Sequence, residues 1–251
     1  MLLMGDVGAG QNEFAYTSAA KLSIAKRSPE DRKRIIDPYY RHIKIPEKTC
    51  YLSFSKSKKD IMREVYVSFN EEYYEAFKAN LIFKDFSSLY FKHSIVPSSW
   101  ARDDGSFFTQ EEGGSLLENL IEFLDEEGKN SLIIIDSLTD LLTSAALKSE
   151  ELVYILKGLQ RASKRWYGMV YLLLTKGIAG ESKERLISDI VDGVLVFEWQ
   201  KSRRYSHQKR YMYVGKFTGV LPHISRAKIS RFGIEITGKS GLVVVDTERI
   251  Y

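Results

Sequence analysis

Eight residues near the start of the chain, Gly5-Asp-Val-Gly-Ala-Gly-Gln-Asn12, narrow its folding options more than any other segment. Gly5, Gly8 and Gly10 supply the backbone freedom that a tight anion-cradling turn needs. Apolar Met1-Leu-Leu-Met4 precedes them, and a helical pattern from Asn12 to about Lys26 follows. A glycine turn between a strand and a helix aims backbone N–H groups at an anion, with the helix dipole behind them. The octet fits the phosphate-loop pattern G-x-x-x-x-G-K-[ST] through Gly10, with Gln11 in the lysine position and Asn12 in the position of the magnesium-binding hydroxyl. Gly5, Gly8, Ala9, Gly10, Gln11 and Asn12 are therefore the candidate contacts to a nucleotide or other anion. The predicted cradle keeps its backbone and has lost its two charge-handling side chains.

The rest of the chain alternates short apolar runs with helical patterns, the rhythm of a mostly parallel α/β sheet. Strands are predicted at Met1–Met4, Thr49–Phe54, Leu81–Phe86, Leu132–Ile135 and Met169–Leu174. Helices are predicted from Lys58 to about Lys78, over Leu116–Glu127, from about Ser149 to Arg165 and over Lys183–Val191. Ser115 and Glu118 stand at capping-box spacing, and Gly128 is the expected stop. Pro29, Pro38 and Pro46 break the charged segment after the first helix, and 92–112 reads as loop. Val194–Trp199 and Tyr211–Lys216 flank a basic turn and predict a hairpin, and Lys228–Val245 predicts two further antiparallel strands. With no internal repeat or low-complexity linker, 1–251 reads as one domain whose lead-in to the first strand is short or absent.

A chain of 251 residues can bury a full core. The net charge of +4 permits anionic partners without demanding them. No apolar stretch reaches membrane-spanning length and no signal peptide opens the sequence, so a cytoplasmic protein with no membrane partner is expected. The single Cys50 excludes an internal disulfide, and its apolar-leaning run Thr49–Phe54 marks it as a core residue.

A second motif supports the phosphate loop. Ser131-Leu-Ile-Ile-Ile-Asp136-Ser137 is an apolar strand ending in a carboxylate, the arrangement that sets an acid beside a nucleotide's magnesium. Asp136 is accordingly the candidate metal contact if nucleotide binds; the alternative is that it only caps a strand end. Taken with Gly5–Asn12, the run Ser131–Asp140, Tyr51-Leu-Ser-Phe54 and Tyr213-Val-Gly-Lys-Phe-Thr-Gly219, the chain resembles the RecA superfamily, and within it the KaiC-like and RadA-like proteins of archaea. The resemblance spans nearly the whole chain. It implies a RecA-like fold, a mostly parallel sheet flanked by helices with antiparallel C-terminal strands, and side-by-side assembly with nucleotide at the subunit interface.

The departures from that family fall where its chemistry would occur. The second strand of active relatives runs into a glutamate that polarises water, whereas Phe54 is followed by Ser55-Lys56-Ser57. Neither serine has a carboxylate's basicity, and Lys56 has the opposite charge. In the late strand Lys216 is kept, while Thr218 stands where an arginine would reach a neighbouring subunit. Together with Gln11 and Asn12 in a degenerate Walker A loop, these changes remove phosphate neutralisation, metal binding, water activation and trans stabilisation. Phosphoryl transfer rests on positioning and electrostatics, so a pseudo-ATPase acting through a protein partner or self-assembly is expected, with no tight cofactor and ATP and magnesium bound weakly if at all. The rival readings are a weak ATPase that borrows Lys56, Lys176 or Lys216, and a DNA-binding recombination accessory protein.

The DNA reading draws on two basic segments. Lys201-Ser-Arg-Arg-Tyr-Ser-His-Gln-Lys-Arg210 sets Lys201, Arg203, Arg204, Lys209 and Arg210 beside Tyr205 and Tyr211, as backbone attraction and base stacking require. Soluble hairpin edges need the same cations. The loop after Thr175 carries Lys176 where related folds contact DNA, and Lys216 completes the set. His42, His93, His207 and His223 lack metal-ligand spacing, and Ser137 has no nearby triad partners. The aromatic run 71–77 reads as a half-buried helix.

Overall fold

The computed structural model describes residues 1–40, 42–92, 94–97, 99–100, 113–144, 147–201, 208–218 and 231–248. In chain order its elements are β1 (Leu2–Gly5), α1 (Gln11–Ile24), α2 (Pro29–Ile35), β2 (Lys48–Ser53), α3 (Lys58–Ser68), α4 (Glu71–Ala79) and β3 (Leu81–Asp85). They continue with α5 (Ser87–Phe91), α6 (Leu116–Glu127), β4 (Ser131–Asp136), α7 (Leu138–Thr143), α8 (Ser149–Trp166) and β5 (Met169–Thr175). The last are α9 (Glu181–Ile190), β6 (Gly193–Lys201), β7 (Gln208–Phe217), β8 (Arg231–Thr237) and β9 (Gly241–Glu248).

Among the described residues the strands form one sheet in the order β3-β2-β4-β5-β1-β6-β7-β8-β9. The pairings from β3 through β6 are parallel, and β7, β8 and β9 close the sheet antiparallel. The α/β class, the mostly parallel sheet and the antiparallel C-terminal strands are those expected from the sequence.

Strand alternation sends neighbouring side chains to two separate cores. Leu2, Cys50, Leu52, Ile133 and Ile135 pack on one face with leucines of α6 and α8 and isoleucines of α9. Leu3, Tyr51, Leu132 and Ile134 pack on the other with Tyr16 and the alanines of α1, Ile61 and Val65 of α3, and Phe77 of α4. The parallel strands are covered on both faces, which is why they read as unbroken apolar runs. Cys50 is fully buried, and burial pushes its thiol up to about 11.

The predicted helix from Lys58 to Lys78 is two helices. Phe69 and Asn70 leave helical geometry, and the Asn70 side chain accepts from the Tyr73 backbone N–H as the N-cap of α4. A side chain that caps competes with helix continuation. Tyr73, Ala76 and Phe77 of α4 are buried, so the aromatic run is a half-buried helix. The Ser115–Glu118 capping box forms as expected. Gly128 ends α6 with an ordinary right-handed backbone; a Cβ there would lie 2.4 Å from the Leu124 carbonyl and 2.7 Å from Trp166, so close packing demands the glycine. The short helices α5 and α7 were not apparent from periodicity, being too brief to show one.

Candidate functional site

The carboxyl ends of β1, β2, β4 and β5 converge, the edge of a parallel sheet where α/β folds hold ligands. Parallel register sets Ser53 beside Asp136, and Gly5 beside Thr175. Between them and α1 lies a cleft of about 440 Å³, lined by the loop after β1, Ser55, Lys56, Glu64, Asp136 and the start of α7.

Two of the three glycines have the turn backbone expected of them, while Gly5 ends β1 in the sheet. Gly8 has φ 73° and Gly10, the N-cap of α1, has φ 119°, values that a side chain would strain. The Ala9 N–H turns back to the Asp6 carbonyl at 3.0 Å, and Lys176 N–H donates to the Gly5 carbonyl at 2.9 Å. Gln11 is buried, its Oε1 has no hydrogen-bond partner, and a Cβ on Gly5 would fall 2.5 Å from that oxygen. The residue in the lysine position therefore lies against the end of β1. Asn12 and Glu13 line the cleft.

Two residues of the C-terminal hairpin hold the loop from outside. Trp199 Nε1 donates to the Val7 carbonyl at 3.0 Å, and Arg210 Nε donates to the Gly8 carbonyl at 3.2 Å. The Arg210 guanidinium stacks on the indole, 4.2 Å from its centroid.

The far wall is a connected set of titratable groups. Tyr51 Oη donates to Asp136 Oδ2 at 2.5 Å. Tyr16 Oη donates to Glu64 Oε2 at 2.9 Å and lies 3.3 Å from Tyr51 Oη. Lys56 Nζ reaches both Glu64 oxygens, at 2.9 and 3.2 Å, and stands 4.0 Å from Asp136 Oδ2. Burial pushes the Asp136 carboxyl above its ordinary range, against the pull of Lys56 and Tyr51. Burial also opposes the Lys56 charge, but Asp136, Glu64 and Asp140 outweigh it and hold the ammonium above its usual value. Burial raises both phenols, with Asp136 adding to the effect. Asp140 caps α7: its Oδ2 accepts from the Ser137 hydroxyl at 2.8 Å and the Ser137 N–H at 3.1 Å, so Ser137 is a capping residue.

Among the described residues lining the cleft, Glu13, Glu64, Asp136 and Asp140 are acidic and Lys56 alone is cationic. No group of three or more His, Cys, Asp or Glu among the described residues could hold a metal ion. A doubly charged ion placed about 4 Å from an ammonium would be opposed by about 8 kcal/mol at an effective dielectric of about 20.

Of the cations expected to meet a partner, Lys176 pairs with Glu198 beside the glycine loop. The Lys216 ammonium donates to the Ser188 and Asp189 carbonyls at 3.2 and 2.6 Å, closing the C-terminal end of α9. Arg210 braces the glycine loop, and Lys209 is exposed. Arg203 and Arg204, with Tyr205, His93, His207 and His223, lie outside the described residues, as does the Lys201 side chain. Tyr211 is buried under the Arg231 guanidinium, 3.7 Å from its ring centroid, and is no open stacking platform. The loop after Thr175 is fastened at its base, where Glu184 accepts from Gly177 N–H at 2.6 Å.

Tyr16, Tyr51 and Glu64 were not singled out as site residues by sequence. The available signal was Glu64 three residues after Ile61, at the rim of the apolar face of α3. No helix among the described residues is long and apolar enough to cross a membrane.

No protein-family model and no curated protein sequence matches the chain. Among solved structures it is similar to a KaiC-like protein from Pyrococcus horikoshii, with TM-score 0.58 and 17% identity over 98% of this chain and 88% of the other. It is similar also to the flagellar accessory protein FlaH from Methanocaldococcus jannaschii, with TM-score 0.61 and 12% identity over the same shares. The chain thus has the RecA/KaiC-like fold, with its glycine loop and Asp136 at the carboxyl edge of the sheet.

Proposed function

We propose that this protein keeps the nucleotide-binding fold without its ATPase chemistry and works as a regulatory or assembly protein through contacts with a protein partner or with copies of itself. The observation that carries the reading is the state of the cleft's charges. Lys56, the cationic side chain among its described lining residues, is engaged by Glu64 and Asp136, while Gln11 in the lysine position is buried against Gly5. The charge balance of these residues is unfavourable to a magnesium nucleotide: four carboxylates line the cleft against the one cation among its described lining residues, and a metal on Asp136 would have the Lys56 ammonium as a neighbour. The comparison with FlaH, described as an accessory protein, agrees with a role beside another assembly.

The rival ATPase reading asks a lysine to replace the missing one. Lys176 and Lys216 are engaged elsewhere, and Lys56 reaches the cleft only as a partner of two acids. Calorimetric titration with Mg-ATP, followed by phosphate-release measurement, tests the reading. No heat at micromolar nucleotide and no turnover is the expected result; micromolar binding with measurable turnover would sink it.

A further inference from the structure

We propose that the amino end of the sheet, opposite the cleft, carries the docking surface for the partner, and that this surface takes an acidic protein segment bearing apolar side chains. The inference rests on the reading above for there being a protein partner, and it names that partner's chemistry and its place on this chain.

The parallel strands β2, β4 and β5 begin at this end, with Lys48, Ser131 and Met169. Residues 26–48, which lead from α1 into β2, hold eight lysines and arginines against four aspartates and glutamates. That excess equals the net charge of the whole chain, so the rest of the sequence is balanced and the attraction for anions resides in this segment. Arg27 and Arg34 pair with Glu72 of α4. Lys26 and Lys44 donate instead to uncharged oxygens, the Glu47 carbonyl and, at 2.6 Å, Asn130 Oδ1, which fixes them without cancelling their charge. Lys33 is exposed beside them in the sequence. Asn130 ties the parts together: its N–H donates to the Trp166 carbonyl at 2.9 Å, and its carbonyl accepts from Glu47 N–H at 2.6 Å.

Large apolar side chains stand open among these cations. Tyr39 and Tyr167 are 85% and 77% exposed, and Tyr40, Ile43 and Met169 are exposed as well. The Tyr39 and Tyr40 rings meet edge-on at 5.2 Å, Ile43 N–H donates to the Tyr40 carbonyl at 3.1 Å, and the Lys44 ammonium lies 5.8 Å from the Tyr167 ring centroid. Tyr167 is placed there against backbone preference: it ends α8 at φ 52°, in the left-handed region where glycine rests most easily. A ring so exposed returns no burial to the fold for that conformation.

Tyrosine and methionine with cations at the rim are the composition of a protein-binding patch. A nucleic-acid strand needs free ring faces for its bases. Here Tyr39 and Tyr40 pack on each other and Lys44 stands over Tyr167, while Ile43 and Met169 add aliphatic area suited to apolar side chains. Charge complementarity then makes the occupant acidic.

The probe is a fluorescein-labelled peptide in which glutamates alternate with leucine and phenylalanine, titrated with the full chain and read by anisotropy. The expected result is binding that weakens as salt rises and that a peptide with lysine for glutamate does not show. It should fall at least about tenfold in Tyr39→Ser/Lys33→Glu and in Tyr167→Gly/Lys44→Glu. Tyr154→Ala, at an exposed tyrosine earlier on α8, should leave it unchanged, and Tyr167→Gly alone should not lower the melting temperature. Should Tyr167→Gly/Lys44→Glu not fold, the pair at 39 and 33 decides. No binding of the peptide, or binding indifferent to the substitutions, overturns the proposal. So does finding that they abolish instead the binding of a thymidine oligonucleotide, the binding of phosphatidylcholine–phosphatidylglycerol vesicles, or self-association in sedimentation, which would assign the surface to a nucleic acid, a membrane or a second copy. Failure of peptide binding without ATP turnover defeats this inference alone; ATP turnover with peptide binding intact defeats the loss of ATPase chemistry and leaves the docking surface standing.

Discussion

Replacing Tyr51 by Phe removes one oxygen from the middle of the acidic network and little else. The ring stays packed, stacked on Phe83 at 5.7 Å between centroids and edge-on to Phe77 at 6.3 Å, so no cavity opens. What is lost is chiefly the donor to Asp136 Oδ2 at 2.5 Å, between a fully buried phenol and a carboxylate only 7% exposed, together with the longer 3.3 Å contact to the Tyr16 hydroxyl. Hydrogen bonds to charged groups contribute about 1.5–3 kcal/mol. A loss of about 2 kcal/mol at neutral pH, with a urea dependence of about 3 kcal/mol per molar, moves the unfolding midpoint down by about 0.7 M. The pH dependence has a definite sign. Tyr51 favours the ionised form of Asp136, whose folded pKa burial already raises, and its removal raises that pKa further. The difference between the two proteins is therefore full while Asp136 is ionised in both and shrinks as pH falls through its folded range. Urea melts monitored by circular dichroism at several pH values, repeated on an Asp136→Asn background, measure both effects. A cost below about 0.5 kcal/mol at neutral pH, or one that grows on acidification, would refute the assignment of this bond as a main support of the buried carboxylate.

Restoring the loop with Gln11→Lys and Asn12→Thr should strengthen Mg-ATP binding at least about tenfold in calorimetry, about 1.4 kcal/mol, while phosphate release stays absent because no carboxylate follows β2 to activate water. Cys50, its thiol raised by burial to about 11, should resist iodoacetamide at mildly alkaline pH and react only as the chain unfolds. The same shift requires the thiol's contribution to stability to be full below its ordinary pKa of 9.0 and to be lost as pH rises through about 11, which alkaline urea melts of the protein against Cys50→Ser would show as a narrowing difference.

The sheet was legible because burial on both faces writes itself as apolar runs, and Leu132–Ile135 or Met169–Leu174 admit few other readings. Gly8 and Gly10 announced the loop because their backbone angles exclude other residues. The cleft's far wall was not legible in the same way. Tyr16, Tyr51, Lys56, Glu64 and Asp136 meet only because β2 and β4 are neighbours in the sheet and α1 and α3 share a face, facts of strand order and packing that no local pattern carries. Lys56 was visible as a departure from a family pattern, and its partners, which give that departure a physical meaning, were not. Similarly, Lys216 looked like a cation awaiting a ligand until the end of α9 was seen beneath it.

The brace formed by Trp199 and Arg210 bears on how this loop could drift. Both side chains donate to carbonyl oxygens of the turn from a hairpin about 200 positions away, and the Trp199 backbone N–H donates to the Asp6 side chain. The curvature of the turn, set by Gly8 and Gly10, is thus also supported by residues outside the motif. Substitutions at positions 11 and 12 can then accumulate without unravelling the bend, because the inheritance of its shape and the inheritance of its chemistry run through different parts of the chain.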